Sequence, residues 1–207
     1  MLTIETAKRI LHTLNETMAQ NQDRLIEIDS AIGDGDLGLT MSKAFRTADE
    51  QMADADEDDP GMLFAKAGMA MAKAAPSTMG SLVATGFMKG GKAVKGTPDW
   101  DAADVATFFR AFADGIMERG KTRPGNKTIV DVLDPVATAL EEAAGRGADP
   151  AGVAQAATEA AARGEEAARN MTSQHGKAAI YREQTVGKQD PGAVAGMLII
   201  QGFFSVF

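Results

Sequence analysis

The 207-residue chain has no cysteine, which excludes a disulfide framework, a thiolate metal site and a cysteine nucleophile. It is short of positive charge, with 21 Lys and Arg against 29 Asp and Glu, a net charge of −8. Nonspecific nucleic-acid binding needs clustered Lys and Arg, so no nucleic-acid partner is expected. Long apolar runs are missing as well. The longest, Ala193 to Ile200, falls far short of the roughly 20 residues of a membrane helix, so no membrane span is expected. The opening MLTIETAKRILHTLNETMAQ lacks the apolar block of a signal peptide. Together with the missing cysteine, this reads as a cytoplasmic protein. Period-2 alternation is scarce too, which argues against a sheet.

What is present is an ordinary globular composition, 44% hydrophobic and 24% charged, long enough for one sizeable core. Residues 1–207 read as a single domain. Ile4, Ala7, Leu11, Leu14 and Met18 recur at spacings of three and four, one face of a helix, with Thr3 as a possible N-cap. Further helical stretches run over roughly 37–54, 61–74, 79–94, 101–119, 128–145, 150–171 and 191–206. Turn chemistries separate them: GDGD at 33–36, DADEDDP at 54–60, AAPST at 74–78, KGTPD at 95–99, KTRPGN at 121–126, RGADP at 146–150 and GKQDPG at 187–192. About eight helices with short connections predict an all-α bundle. The Ala-rich stretch 137–168 and the Met-rich stretch 52–79 read as core, and Asp54 to Asp59 as a solvated loop.

Three motif matches mislead. Gly115-Ile-Met-Glu-Arg-Gly120-Lys121-Thr122 fits the phosphate-binding P-loop letter for letter. A P-loop follows a buried strand and opens a helix. Here Val105, Phe108, Phe109 and Phe112 put helical periodicity before it, and Pro124-Gly125 follow at once. Gly33-Asp-Gly35-Asp-Leu-Gly38 fits the dinucleotide pattern, and the preceding LIEIDSAI could pass for a strand. Yet Asp34 and Asp36 would meet a pyrophosphate where bare amides are needed. Read as an EF-hand from Asp34, the same segment puts Gly38 at position 5 and Phe45 at position 12, where the bidentate Glu belongs.

That leaves Asp29, Asp34 and Asp36, a D-x4-D-x-D array across a glycine-rich turn. Gly33 and Gly35 let the turn fold tightly enough for three carboxylates to converge. On residues alone the array is either an exposed acidic turn or a site for a hard divalent cation such as Mg²⁺.

The stretch Glu27-Ile-Asp-Ser-Ala-Ile-Gly-Asp-Gly-Asp36 resembles the hallmark of the nucleotide-binding L subunit of dihydroxyacetone kinase (DhaL). Three more blocks resemble that family in order: Ser77-Thr-Met-Gly80-Ser81; Arg119-Gly120 with Arg123-Pro-Gly-Asn-Lys127-Thr128-Ile129-Val-Asp131; and Gly176-Lys177, Glu183 and Gly187-Lys-Gln-Asp190-Pro191-Gly192-Ala. The resemblance spans nearly the whole chain. It implies an antiparallel eight-helix barrel with ADP or ATP and two Mg²⁺ at one end. It implies that Asp29, Asp34 and Asp36 hold the metals and that Leu37, Gly38, Leu39 and Thr40, at a helix start, lie against phosphates. By the same resemblance Ala74, Ala75, Gly120, Ile129, Lys177, Asp190, Pro191 and Gly192 line the nucleotide.

This chain departs from the family pattern in four places, as a divergent member would. Leu37 stands where the family has His. Ala75 matches a usual Ser, with Ser77 and Thr78 as substitutes. Lys177 replaces a usual Arg and so loses its bidentate fork. Asn126 replaces an Asp. His12 reads as a surface or packing residue. His175, beside Gly176-Lys177, is either a bystander or a phosphate or partner contact. Arg119, Lys121, Arg123 and Lys127 are either a solvated turn or a cluster that neutralises phosphate or docks a partner.

The expected function is a kinase subunit presenting Mg-nucleotide to a small hydroxyketone or ketose. The resemblance implies that a DhaK-like (K) subunit holds that substrate. The phosphoryl donor is either free ATP or a phosphotransferase-system protein that recharges bound ADP. Two other classes stay open, a nucleotide-binding regulatory module without chemistry and a metal-dependent phosphohydrolase. A fatty-acid kinase subunit with a similar domain is a narrower option, since its lipid-binding domains do not fit this length.

Overall fold

A computed structural model describes residues 2–207. Its regular structure is helical: α1 (Ile4–Gln20), α2 (Gln22–Ser30), α3 (Leu37–Met52), α4 (Pro60–Ala74), α5 (Thr78–Ala93), α6 (Ala102–Gly120), α7 (Val130–Gly145), α8 (Pro150–Arg169) and α9 (Pro191–Phe204), with a 3-10 segment at Lys177–Thr185 before α9. Extended pairing among the described residues is a single bridge between Leu2 and Trp100.

Helices α1, α3, α4, α5, α6, α7, α8 and α9 pack in that order, and α9 returns to α1, closing a ring. Helix α2 lies outside the ring order against α3, α9 and α1. It is the element the sequence hid. LIEIDSAI is helical up to Ser30 rather than extended, and Leu25 is the one buried residue of the helix. Nine residues with one buried apolar contact carry little periodicity for a reader to find.

The ring is filled rather than hollow. Phe45, Phe64, Phe87, Phe108, Phe109, Phe112, Phe203 and Trp100 are all at most 1% exposed. Their rings interlock, Phe64 with Phe108 at 5.2 Å and Phe109 with Phe203 at 4.8 Å between centroids. Each buried aromatic contributes about 1.5–3 kcal/mol relative to exposure. Nearly every aromatic of the chain is spent on this interior, so the walls can be built from Ala and Gly.

Because ring neighbours alternate in direction, helix starts collect at two ends. Thr3, Asp59, Asp101 and Asp149 cap α1, α4, α6 and α8 at one end. Helices α3, α5, α7 and α9 start at the other, where α2 and the 3-10 segment also lie. The P-loop look-alike is explained by this layout. Gly115 to Gly120 falls in the last two turns of α6, and Lys121 stops the helix in a left-handed conformation, φ 50°.

Candidate functional site

The second end opens into a cleft of about 540 Å³, within the usual range for small-molecule sites. Five pieces of chain build it. The acidic turn supplies Asp29, Ile32, Gly33, Asp34, Asp36 and Leu37. The start of α5 supplies Pro76, Ser77, Thr78, Met79 and Leu82, and the α6–α7 turn supplies Gly120, Thr122, Lys127, Thr128 and Ile129. The strap before α9 supplies His175, Gly176, Lys177 and Ala178, and α9 begins there with Asp190, Pro191 and Gly192.

The acidic turn is shaped by its own chemistry. A side chain on Gly33 would collide with the Asp29 carboxylate, and Gly35 has a positive φ of 73°. Asp29 Oδ2 accepts the Leu37 N–H at 3.2 Å and so ties the end of α2 to the start of α3. Asp29, Asp34 and Asp36 each offer an oxygen, and these oxygens lie within 4.8 Å of one another. Asp36 makes no capping bond to α3, so its carboxylate is not committed to the helix. Burial, and then the charges of Asp34 and Asp29, push its carboxyl above the usual range. Asp34 is instead held low by the ammonium of Lys177, which reaches across from the strap to pair with it. Three hard oxygen donors around one point fit a Mg²⁺-like ion, whose charge would relieve their mutual repulsion.

The opposite wall is rigid. The Asp131 carboxylate accepts the Gly125 N–H at 2.5 Å and the Thr128 N–H at 2.7 Å, folding the Pro-Gly-Asn-Lys-Thr turn onto α7. Within it Lys127 is buried with a left-handed backbone, φ 56°. Its ammonium donates to the carbonyls of Arg169, Thr185 and Lys188 at 3.0, 2.7 and 2.8 Å. One side chain therefore joins the end of α8 to the end of the 3-10 segment and to the residues just before α9. Burial pulls the Lys127 ammonium below its ordinary pKa. Asp190, which caps α9 through Ala193 N–H at 2.8 Å, is pushed up to about 7, chiefly by burial.

Of the residues expected from sequence, Asp29, Asp34, Asp36, Leu37, Ser77, Thr78, Gly120, Ile129, Lys177, Asp190, Pro191 and Gly192 converge on the cleft. Gly38, Leu39, Thr40, Ala74 and Ala75 are not among its lining residues. Gly38 is buried against the Gln22 carbonyl, Leu39 is 56% exposed, and Ala75 is buried with its carbonyl accepting the Ser77 N–H. Within its first turn α3 has already rotated the Cα positions of Gly38 and Leu39 away from the mouth. The basic cluster comes apart: Lys127 turns inward, while Arg119, Lys121 and Arg123 stay exposed. His175 is in the cleft, its Nε2 3.1 Å from Asn126 Oδ1. His12 is outside it, 3.0 Å from Asp49.

Thr122, Thr128 and Gly176 were missed although Thr128 and Gly176 lie inside the quoted motif blocks. Met79 also lies inside a quoted block, whereas Leu82 carries no signal of its own, because its spacing on α5 reads only as a helix face.

The N-terminal ends of four helices thus meet the cleft. Helix α3 begins at Leu37, α5 at Thr78, α7 just after Ile129 and α9 at Pro191. The positive ends of the helix dipoles, with the uncommitted amides in the first turns of α3 and α5, favour an anion there. The cleft accordingly combines a carboxylate cluster suited to a divalent cation with helix ends suited to phosphate.

Residues 31–205 match the DAK2 domain family. The chain is 28% identical over 186 residues to the ADP-binding subunit DhaL of the PEP-dependent dihydroxyacetone kinase of Escherichia coli (strain K12), covering 90% of this chain and 89% of that protein. It is 33% identical over 196 residues to L-erythrulose 1-kinase of Mycolicibacterium smegmatis, covering 93% of this chain and 34% of that one. Its fold resembles the dihydroxyacetone kinase of C. freundii in complex with AMP-PNP and Mg²⁺, with a TM-score of 0.74 at 22% identity, over 95% of this chain and 33% of that one. The chain therefore spans about a third of the length of the latter two proteins.

Proposed function

The chain belongs to the DAK2 domain family, and on that premise we propose that it is the nucleotide-binding DhaL subunit of a dihydroxyacetone-kinase-like enzyme. The observation that carries this reading is the meeting of the acidic triad and four helix N-termini in one cleft. Asp29, Asp34 and Asp36 hold Mg²⁺, two ions by family resemblance, and the cleft holds ADP or ATP. When bound, Mg²⁺ supplies charge neutralisation to the polyphosphate. The protein's own part is orientation. The start of α3 and the strap approach the phosphates, while Met79, Leu82 and Ile129 give the nucleoside an apolar wall. This is the positioning and charge balance that phosphoryl transfer needs.

The acceptor is a small hydroxyketone or ketose carried by a DhaK-like partner subunit. What supports a partner is the strap beside the cleft, where Ile180 is 83% and Tyr181 42% exposed, more apolar surface than an exposed turn needs for itself. Residues 1–207 act as one unit, since α1, ahead of the matched region, closes the ring between α3 and α9. No helix among the described residues is long and apolar enough to cross a membrane, and a cytoplasmic setting suits the chemistry. The donor is either exchangeable ATP or a phosphotransferase-system protein that recharges bound ADP. The similarity to the E. coli protein, an ADP-binding subunit of a PEP-dependent kinase, supports the second.

Calorimetry with Mg-ADP and Mg-ATP tests the reading. The isolated chain binds nucleotide and phosphorylates no free triose or tetrose. Asp34→Asn and Asp36→Asn lower affinity by at least ~10-fold, the scale of losing a metal-site carboxylate. Equal affinities in all three proteins would sink the metal assignment. Phosphate release without any acceptor would point to a phosphohydrolase, and nucleotide held without turnover beside a K subunit would point to a regulatory module.

A further inference from the structure

Lys177 and Asp34 are 143 residues apart in sequence, yet they form an ion pair across the mouth of the cleft. Asp34 is one of the three converging carboxylates. The pairing does not come from a side chain reaching out at random. The strap that carries Lys177 is pinned at its base, where Lys127 holds the carbonyls of Thr185 and Lys188 and the Ser173 N–H donates to Thr185 Oγ1 at 3.0 Å. Farther along, Arg182 bends the segment in a conformation rare for a non-glycine residue, φ 46° and ψ −124°. The pinned strap brings a single ammonium to the cluster. The side chains of Lys177 and Asp34 remain 62% and 41% exposed, so the pair is reachable and displaceable.

We propose that Lys177 is a built-in counterion that stands in for the divalent cation, so that the three carboxylates admit metal together with a polyphosphate and only poorly without one. This rests on the nucleotide-site reading above and adds the rule by which that site fills. Without ligand, one positive charge is shared among Asp29, Asp34 and Asp36. A metal ion arriving alone must displace the ammonium from Asp34 and leave it with no anion to face. A metal ion arriving with a polyphosphate frees Lys177 to turn to the phosphate oxygens, and every charge keeps a partner. Metal and nucleotide then raise each other's affinity by the same factor, as linkage demands.

The test measures Mn²⁺ binding by the loss of the free-ion paramagnetic signal, with and without ADP, for the wild type, Lys177→Met and Lys177→Arg. Thermal melting confirms that each variant is folded. Lys177→Met should bind Mn²⁺ alone about 10-fold more tightly than the wild type, the scale on which one nearby charge alters a carboxylate's affinity for a cation. The tightening of Mn²⁺ binding by ADP should shrink by a similar factor in that variant. Lys177→Arg, which keeps the charge, should behave like the wild type. If the wild type gains Mn²⁺ affinity from ADP while Lys177→Met and the wild type bind Mn²⁺ alone equally well, the counterion role is wrong and the site stands. If the wild type takes up no Mn²⁺ even with ADP, the site reading falls and this inference falls with it.

Discussion

The two ends of the bundle treat their helix starts differently. At the far end every start is closed by a side chain of its own. Thr3 accepts from Thr6 N–H, Asp59 from Gly61 and Met62, Asp149 from Gly152, and Asp101 forms a reciprocal capping box with Asp104. Asp59 also reaches the Gly96 N–H at 2.7 Å and ties the loop after α5 to α4. The space left there is a small hollow of about 180 Å³ among Leu2, Trp100, Val105, Val153, Phe204 and Phe207. At the cleft end Ser77 and Asp190 cap α5 and α9, but α3 and α7 start with no side-chain bond from their own cap residues. The first four amides of α7 are nonetheless taken, by Thr128 Oγ1 and the carbonyls of Thr128 and Ile129, whereas Asp29 satisfies only the Leu37 amide of α3. One end is finished as structure, and the other leaves donors and carboxylates available to a ligand.

Breaking a cap at the finished end should give the largest effect on stability. Asp59→Ala removes the acceptor of three N–H groups and should cost about 2–3 kcal/mol in urea unfolding. Nucleotide affinity at low denaturant should not change. A matching loss of affinity would show that the two ends are coupled and would break the division.

Asp190 tests a mixed case, a cap that also lines the cleft. Its folded pKa is raised to about 7 by burial, above the ordinary value near 3.9 of an unfolded Asp. The folded state therefore binds more protons than the unfolded state between these values. The contribution is full below about pH 4 and is lost as pH rises through about 7. Asp190→Asn keeps an acceptor for the Ala193 N–H and removes the ionisation. Melting curves from pH 4 to 8 should be flatter for the variant, which should be the more stable of the two above pH 7. Parallel profiles would show that Asp190 is ionised throughout.

The smallest stability effect belongs to the acidic turn. Without ligand, Asp36→Asn should change unfolding free energy by no more than about 0.5 kcal/mol, and in the stabilising direction, because it relieves repulsion from Asp29 and Asp34. The same variant is the one expected to lose nucleotide. A protein that spends stability on its function at one end should show this inversion, and a large destabilisation would make the turn a structural element.

Much of this was legible in the chain. Periodicity located all eight ring helices to within a few residues, because each buries a wide apolar face between turn-forming or capping segments. Thr3 was readable as a cap for the same reason. Asp29, Asp34 and Asp36 were legible as a group because two glycines leave the turn no room to separate them. Helix α2 was not legible, since a single buried residue imposes no period.

Sequence by itself determined the all-helical class, the breaks between helices and the acidic turn, all of them consequences of residues within a few positions of one another. Only the tertiary structure decided that the aromatics fill the ring, that Lys127 turns inward from its basic neighbours to three distant carbonyls, and that Lys177 meets Asp34. Those contacts join residues 42 to 143 positions apart. No local rule of propensity or spacing reaches that far, because such pairs are set by how the helices close into a ring and by which charges burial leaves no other partner.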